Sequence, residues 1–209
     1  MVMPAPSAPS GKVSTRQRIL QAAKRLFASR GYEHTSTSAI AREAGTSESQ
    51  LMKHFGNKAG LLEAIFNEGW GTITEGARAA SQNLTSPLEK LQTLAGGVLR
   101  HLDGDPQLRL LMLLEGRRIR REGAMVALTA GFLDFVGLVD SVLMEMRAMH
   151  LLRPELNPQA VRSALMGMLE GVMRDRYLAD QVRFPVDFQP GQIQEMLRLV
   201  LASFTVAGA

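Results

Sequence analysis

Apolar residues recur every three or four positions along most of the chain, and no stretch alternates apolar and polar residues with a period of two. The first spacing is that of one face of an α-helix, and the second is typical of a strand. The sequence therefore predicts an all-α protein of about nine helices. We expect a helix over about 13–29, two short helices within 37–58, and longer helices over about 58–81, 86–102, 106–121, 122–150, 158–180 and 190–206.

The two short helices are joined by a tight turn. The first ends at Gly45, because glycine takes the left-handed conformation that closes a helix at the lowest cost. Ser47 can cap the second helix, and Leu51 and Phe55, four residues apart, form its buried side. The other side chains of this second helix are polar or long, so it presents them to a partner. This arrangement is a helix-turn-helix, whose second helix lies in the DNA major groove.

A family resemblance is carried by the run AREAGTSESQLMKHFGNKAGLLEAIF. This run resembles the DNA-binding signature of the tetracycline-repressor (TetR) family of bacterial transcription regulators. The matching positions are Ala41, Ala44, Gly45, Leu51, Phe55, Lys58, Leu61 and Leu62. The resemblance implies an N-terminal three-helix helix-turn-helix DNA-binding domain over 13–58. It also implies a C-terminal helical ligand-binding and dimerisation domain over 59–209.

The resemblance further implies which side chains touch DNA. Thr46, Gln50 and Lys53 are expected at base edges, because Gln can read adenine and Lys can read guanine. Gln50 has a rival role as the capping partner of Ser47. Met52 stands where the family usually has Tyr; its thioether cannot donate to a phosphate, but it can pack on a thymine methyl. The expected phosphate contacts are Thr37, Ser38, Ser47, Ser49, His54 and Lys58.

Lys58 is unusual because a cation in the first turn of a helix is opposed by the helix dipole. An ammonium group at such a position often has a partner outside the helix. For Lys58, the resemblance implies that this partner is a DNA phosphate.

The charge of the chain is unevenly divided. Residues 1–58 contain nine Lys and Arg residues against three Glu residues, whereas residues 59–209 contain fifteen basic and seventeen acidic residues. The net charge of +4 is therefore concentrated in the segment with the helix-turn-helix. A solvated basic surface alone would give this pattern, but beside the motif it indicates binding to a polyanion.

Composition narrows the class of protein further. The absence of cysteine excludes a disulfide framework and thiolate metal sites, and suits a reducing cytoplasm. Residues 1–12 are rich in Pro, Ala and Ser without an apolar core, which predicts a disordered N-terminal arm rather than a signal peptide. No apolar run approaches the length of a membrane span. We therefore expect a soluble cytoplasmic protein with no membrane partner.

The predicted helices over 158–180 and 190–206 have wide apolar stripes, and two interpretations are open. They pack only within their own subunit, or they form a four-helix interface between two chains, as the resemblance implies. A two-fold homodimer would read two operator half-sites in register. The sequence leaves open which side of each stripe faces the partner. The candidate interface residues are Ala164, Leu165, Met168, Val172, Ile193, Leu197, Val200 and Phe204.

Eight of the twelve methionines lie between residues 112 and 173. Methionine fills irregular space, so this set indicates either an ordinary core or an apolar ligand pocket, and the resemblance implies a pocket for an inducer. Glu115 and Glu170 would bind a cationic ligand there or pair with Arg117 or Arg174. The candidate pocket residues are Trp70, Met112, Glu115, Phe132, Phe135, Met144, Met166, Glu170 and Met173.

The sequence contains no HExxH, GxGxxG or P-loop motif, so it predicts neither an enzyme nor a metal or cofactor site. The leading hypothesis is a ligand-responsive transcriptional regulator. It would be a repressor that binds a palindromic operator as a homodimer and is released by a small apolar or amphipathic effector. The alternative is a ligand-independent DNA-binding architectural protein.

Overall fold

The computed structural model of the chain describes residues 13–116 and 128–206. This part of the chain is helical apart from its loops and one isolated antiparallel bridge between Leu152 and Thr205. The predicted all-α class, with a helix-turn-helix followed by a helical domain, is confirmed. The helices are α1 (Thr15–Arg30), α2 (Thr37–Glu43), α3 (Glu48–Phe55), α4 (Lys58–Ser81), α5 (Pro87–Gly104), α6 (Pro106–Glu115), α7 (Ala130–Ala148), α8 (Pro158–Val182) and α9 (Pro190–Ser203).

The helix starts follow the capping residues of the sequence. Ser14, Ser36 and Ser47 each accept a hydrogen bond from a backbone amide three residues further on, and so begin α1, α2 and α3. The predicted start of α7 at residue 122 is wrong, because the Thr129 hydroxyl accepts from the Phe132 amide at 3.2 Å and begins the helix there. The predicted N-terminal arm and Arg117, a predicted partner of Glu115 or Glu170, lie outside the described residues.

The chain divides into two compact units, the first ending at Leu61 and the second beginning at Leu62. In the first unit, the core is formed by apolar side chains from α1, α2 and α3. Ile19, Phe27, Ile40 and Leu51 are at most 1% exposed. Burial of this kind is the main favourable term for a small helical unit, and it fixes the direction in which the remaining face of α3 points.

In the second unit, α5 packs against α6, α7, α8 and α9. Close approach of α7 to α4 depends on Gly131, whose amide donates to Asn67 Oδ1 at 2.8 Å. A β-carbon at position 131 would lie 2.7 Å from the Asn67 carbonyl oxygen, closer than packed atoms allow. No helix among the described residues has the length and apolar character needed to cross a membrane.

Candidate nucleic-acid interface and ligand cavity

The turn between α2 and α3 is fixed by backbone contacts. Gly45 has φ +61°, the left-handed conformation that the sequence predicted for this position. The Thr46 amide donates to the Ala41 carbonyl at 3.0 Å, and Arg18 Nε donates to the Ala44 carbonyl at 3.1 Å. Together with the complete burial of Leu51, these bonds hold α3 in one orientation on the unit.

The remaining face of α3 is open to solvent. Leu51 is its one buried side chain, Phe55 is half-buried beneath the Arg16 guanidinium at 5.4 Å, and Met52 is 43% exposed. The exposed set also includes Glu48, Ser49, Gln50, Lys53 and His54. A helix that buries so little of its own surface serves to present side chains, as the sequence indicated.

The expected base-reading residues lie on or beside this open face. Gln50 and Lys53 are exposed, and Thr46 is half-buried at the turn. The Ser47 hydroxyl accepts from the Gln50 amide at 3.3 Å, which confirms the cap. Within the described part of the chain, the Gln50 side chain makes no hydrogen bond, so the rival capping role of that side chain is absent. Ser47 Oγ also lies 2.9 Å from Ser49 Oγ.

Among the expected phosphate contacts, Ser38 and His54 are exposed, but Lys58 has its partners inside the unit. Lys58 Nζ donates to the carbonyls of Tyr32 at 2.9 Å and Thr35 at 3.1 Å, and lies 4.3 Å from the centre of the Tyr32 ring. These contacts offset the unfavourable position of the cation at the start of α4. The partners of the ammonium therefore lie outside α4, as the dipole argument expected, but they belong to the same unit, and the phosphate contact of Lys58 stays a prediction.

Thr37, another expected phosphate contact, uses its hydroxyl within the unit. Thr37 Oγ1 donates to Glu48 Oε1, which joins the first residue of α2 to the first residue of α3. A threonine hydroxyl has a single proton, so it cannot donate to a phosphate at the same time. Sequence reasoning did not select Glu48, because its contact with Thr37 spans eleven residues and depends on how the two helices meet.

The second unit contains a cavity of about 490 Å³ whose wall is mainly apolar. The Trp70 ring forms part of the wall, and its centre is 5.1 Å from that of Phe132 and 5.0 Å from that of Phe135. Such tilted aromatic contacts stabilise a rigid wall. The lining residues are Phe66, Trp70, Val98, Leu102, Met112, Leu113, Gly116, Leu128, Phe132, Leu133, Val136, Arg162, Ser163, Met166, Leu169, Glu170 and Met173.

Three of the nine candidate pocket residues do not line this cavity. Phe135 is buried and packs against Trp70, and Glu115 is buried but does not line the cavity. Met144 was misplaced: its side chain is 57% exposed, because it lies on the solvent side of α7 while Leu143 and Met146 face the core. The six that line the cavity are Trp70, Met112, Phe132, Met166, Glu170 and Met173.

Helix α8 also contributes polar groups that sequence reasoning missed. Arg162 and Ser163 line the cavity, and Arg162 Nη1 donates to Asp140 Oδ2. The other carboxylate oxygen of Asp140 is buried without a hydrogen bond within the described residues. The signal was present in the sequence, because Arg162, Met166 and Met173 recur at helical spacing on one face of α8. Arg174, a predicted partner of Glu170, donates to Asp175 instead.

The candidate interface residues divide between two sides of α8 and α9. Leu165, Ile193 and Leu197 are at most 6% exposed and face the core of their own unit, so their assignment to an interface is wrong. Ile193 and Leu197 pack in one cluster with Leu99 of α5. Sequence periodicity marks an apolar stripe but not which neighbour covers it. The accessible candidates are Ala164, Met168, Val172, Val200 and Phe204, and beside them Leu199, which is 55% exposed.

Comparison with protein families gives a match in the N-terminal part of the chain. The family described as "Bacterial regulatory proteins, tetR family" matches residues 19–65. The matched segment contains most of α1, all of α2 and α3, and the first turns of α4. It therefore covers the helix-turn-helix and leaves most of the second unit unmatched.

Similar proteins extend the comparison beyond this segment. The uncharacterized HTH-type transcriptional regulator YvkB of Bacillus subtilis (strain 168) is 43% identical over 54 residues, covering 26% of this chain and 29% of that protein. The fatty acid metabolism regulator protein of the same strain is 24% identical over 166 residues, covering 78% of this chain and 84% of that protein.

Similarity to solved structures concerns the fold. The transcriptional regulator FadR from Bacillus subtilis, in complex with stearoyl-CoA, superposes with a TM-score of 0.79 at 22% identity. The superposition covers 89% of this chain and 97% of that chain. The helices of the second unit therefore follow an arrangement already known from a regulator with a bound acyl-CoA.

Proposed function

The chain belongs, through its helix-turn-helix, to the tetR family of bacterial regulatory proteins, and from this premise we propose that it is an effector-responsive repressor. It binds a palindromic operator as a homodimer, with α3 of each subunit in the major groove of one half-site. A small apolar or amphipathic effector releases it. The regulatory and dimerising functions belong to residues 59–209, and DNA recognition belongs to residues 13–58.

The DNA half of the proposal is supported by the open face of α3. The side chains of Gln50 and Lys53 are exposed there and make no hydrogen bonds within the described part of the chain, so their donors are available to base edges. Ser38, Ser49 and His54 are exposed around them and supply groups for the phosphate backbone. Met52, at 43% exposure, offers an apolar surface for a thymine methyl.

The effector half of the proposal is carried by the cavity. A volume of about 490 Å³ is within the range of small-molecule sites, and three aromatic rings and three methionines line it. The polar groups of Arg162, Ser163 and Glu170 all come from α8, so the cavity suits a ligand with an apolar body and a polar end. Because FadR from Bacillus subtilis binds stearoyl-CoA, acyl thioesters are the first class to test.

Release requires that the effector prefer the conformation that does not bind DNA. The proposal is tested by selecting an operator from random DNA with the full-length protein and then titrating the complex with acyl-CoAs of increasing chain length. Free coenzyme A is the control for the polar end alone. We expect the acyl chain to determine release, since it is the part that the apolar wall accepts.

A variant of the cavity wall tests whether the effector acts at this cavity. Val136→Trp adds a large ring to the cavity wall, so we expect it to bind the operator but to lose the response to the acyl-CoA that releases the wild-type protein. An operator complex that survives acyl-CoAs and fatty acids alike would favour the architectural alternative. Release of the Val136→Trp variant at wild-type concentrations would place the effector site elsewhere.

The dimer is supported by the side of α8 and α9 that remains accessible. Ala164 and Leu199 are exposed, and Met168, Val172 and Val200 are half-buried. Apolar side chains that stay accessible on two helices offer a surface that a second subunit can cover. Two-fold symmetry then gives each operator half-site one recognition helix.

Replacing Lys53 with alanine is expected to weaken operator binding by about 1–3 kcal/mol and to relax the preference at one base pair. The reason is that an exposed ammonium on α3 can reach the O6 and N7 atoms of guanine. Gel-shift titration on the operator and on each single-base variant of it measures both quantities. Lys24→Ala, on α1, is the matched control for loss of one positive charge in the same unit. Equal effects of the two substitutions on base preference would contradict the assignment.

A further inference from the structure

Glu48, at the start of α3, places a negative charge on the face that is proposed to approach DNA. Electrostatic attraction to phosphates does not explain an acid at this position. Glu48 is the first residue of α3, and its side chain is exposed. Up to residue 58 the sequence has nine basic residues and only three glutamates. A carboxylate on the surface that approaches DNA repels phosphates and weakens binding to every sequence.

The carboxylate of Glu48 is held in place by a neighbouring helix. Thr37 Oγ1, at the first residue of α2, donates to Glu48 Oε1. This bond leaves Oε2 and the second lone pair of Oε1 available as acceptors. Glu43 differs, because Arg25 Nη2 lies 3.1 Å from its Oε1 and balances its charge. Glu48 is thus an oriented acceptor at the N-terminus of the recognition helix.

We propose that Glu48 is a specificity-determining residue that accepts a hydrogen bond from the N4 amino group of a cytosine, with Thr37 as its positioning residue. The inference rests on the proposed binding of α3 in the major groove. In that geometry, the N-terminal residues of the recognition helix reach base edges. Cytosine N4 is the donor that Glu and Asp read there.

The same carboxylate rejects guanine and thymine, and adenine suits it less well than cytosine because an N7 acceptor lies beside the adenine N6 donor. Guanine presents O6 and N7 acceptors and thymine presents O4, so an acid opposite either base is left desolvated and unpaired. Glu48 therefore lowers the affinity for DNA in general and lowers it least where a cytosine is present. Specificity increases because Glu48 lowers the binding affinity for competing sequences more than it lowers the affinity for the operator.

An acid in the first turn also interacts favourably with the helix dipole. That role is purely structural, and it predicts a change in thermal stability without any change in the bases selected. Base preference therefore separates the two roles, whereas stability or total affinity does not.

The test is a selection from random-sequence DNA with the full-length wild type, Glu48→Ala, Glu48→Gln and Glu43→Gln. Wild type should enrich a palindrome with cytosine at one position of each half-site. Glu48→Ala should lose preference at that position alone, and Glu48→Gln should shift it to adenine, which Gln reads. Glu43→Gln removes the same charge from the same unit and should keep the wild-type preference.

A measurement on the wild-type protein avoids dependence on how the variants fold. Replacing the selected C·G pair by T·A should weaken wild-type binding by about 5- to 150-fold, the range of one good base contact. The same replacement should affect Glu48→Ala little, as a double-mutant cycle requires. Thr37→Val should reduce the discrimination, and Thr37→Ser, which keeps the hydroxyl, should restore it.

The outcomes separate this inference from the function on which it rests. If wild type selects a defined operator and the Glu48 variants select the same bases at every position, only the assignment of Glu48 is overturned. If wild type enriches no sequence, the proposed operator binding fails and the assignment fails with it. If the C·G to T·A replacement weakens wild type and Glu48→Ala equally, the cytosine is read by another residue.

Discussion

The Ala164→Glu and Leu199→Glu double variant is expected to be a folded monomer that binds the full operator about 10²- to 10⁴-fold more weakly than wild type. This factor is the range by which two linked binding sites exceed one. Both residues are exposed in the described structure, and Leu199 is 55% exposed. Two carboxylates on this surface destabilise a single subunit little, because they stay hydrated. In an interface between two subunits they would lose their hydration without gaining a partner.

Sedimentation and gel-shift titration on the same sample measure the two parts of this prediction. Met144→Glu is the matched control, because Met144 is also an exposed apolar residue of the second unit, at 57% exposure, but lies on α7. It should leave both the oligomeric state and the operator affinity unchanged. A folded monomer that binds the full operator as tightly as wild type would contradict a mechanism in which each subunit of a dimer reads one half-site. A double variant that stays dimeric would place the interface on another surface.

Leu165→Glu is expected to unfold or severely destabilise the second unit rather than to separate two subunits. Leu165 is 6% exposed and lies in the core of its own unit. Truncation to alanine at such a site costs about 2–5 kcal/mol, and the unpaired carboxylate of glutamate adds a further desolvation cost. The expected loss in the free energy of unfolding is therefore larger than for any surface substitution on α8.

Urea unfolding followed by circular dichroism measures this loss, with Met144→Glu as the matched control. Both substitutions place a carboxylate on a helix of the second unit, Leu165→Glu in the core and Met144→Glu on the exposed side of α7, outside the proposed interface. We expect a large drop in the unfolding midpoint for Leu165→Glu and almost none for Met144→Glu. If Leu165→Glu instead gave a stable monomer, Leu165 would face a partner subunit, as its place on the apolar stripe first indicated.

The sequence alone determined the class of fold and the helix-turn-helix because these depend on local rules. Ser47 caps α3, and Gly45 ends the preceding helix, since a serine hydroxyl and a flexible glycine act on their own neighbours. The burial of Leu51 follows from its helical spacing. The family signature lies in this same segment, so it was recognisable before any contact between helices was known.

The tertiary structure decided the partners of side chains that lie far apart in sequence. The Lys58 ammonium contacts Tyr32 and Thr35, and Thr37 of α2 donates to Glu48 of α3. Periodicity placed Leu165 on the apolar stripe of α8, but only packing showed that it faces its own core. The physical reason is general: a local pattern fixes which residues share a face, whereas burial and hydrogen bonding depend on what the chain brings against that face.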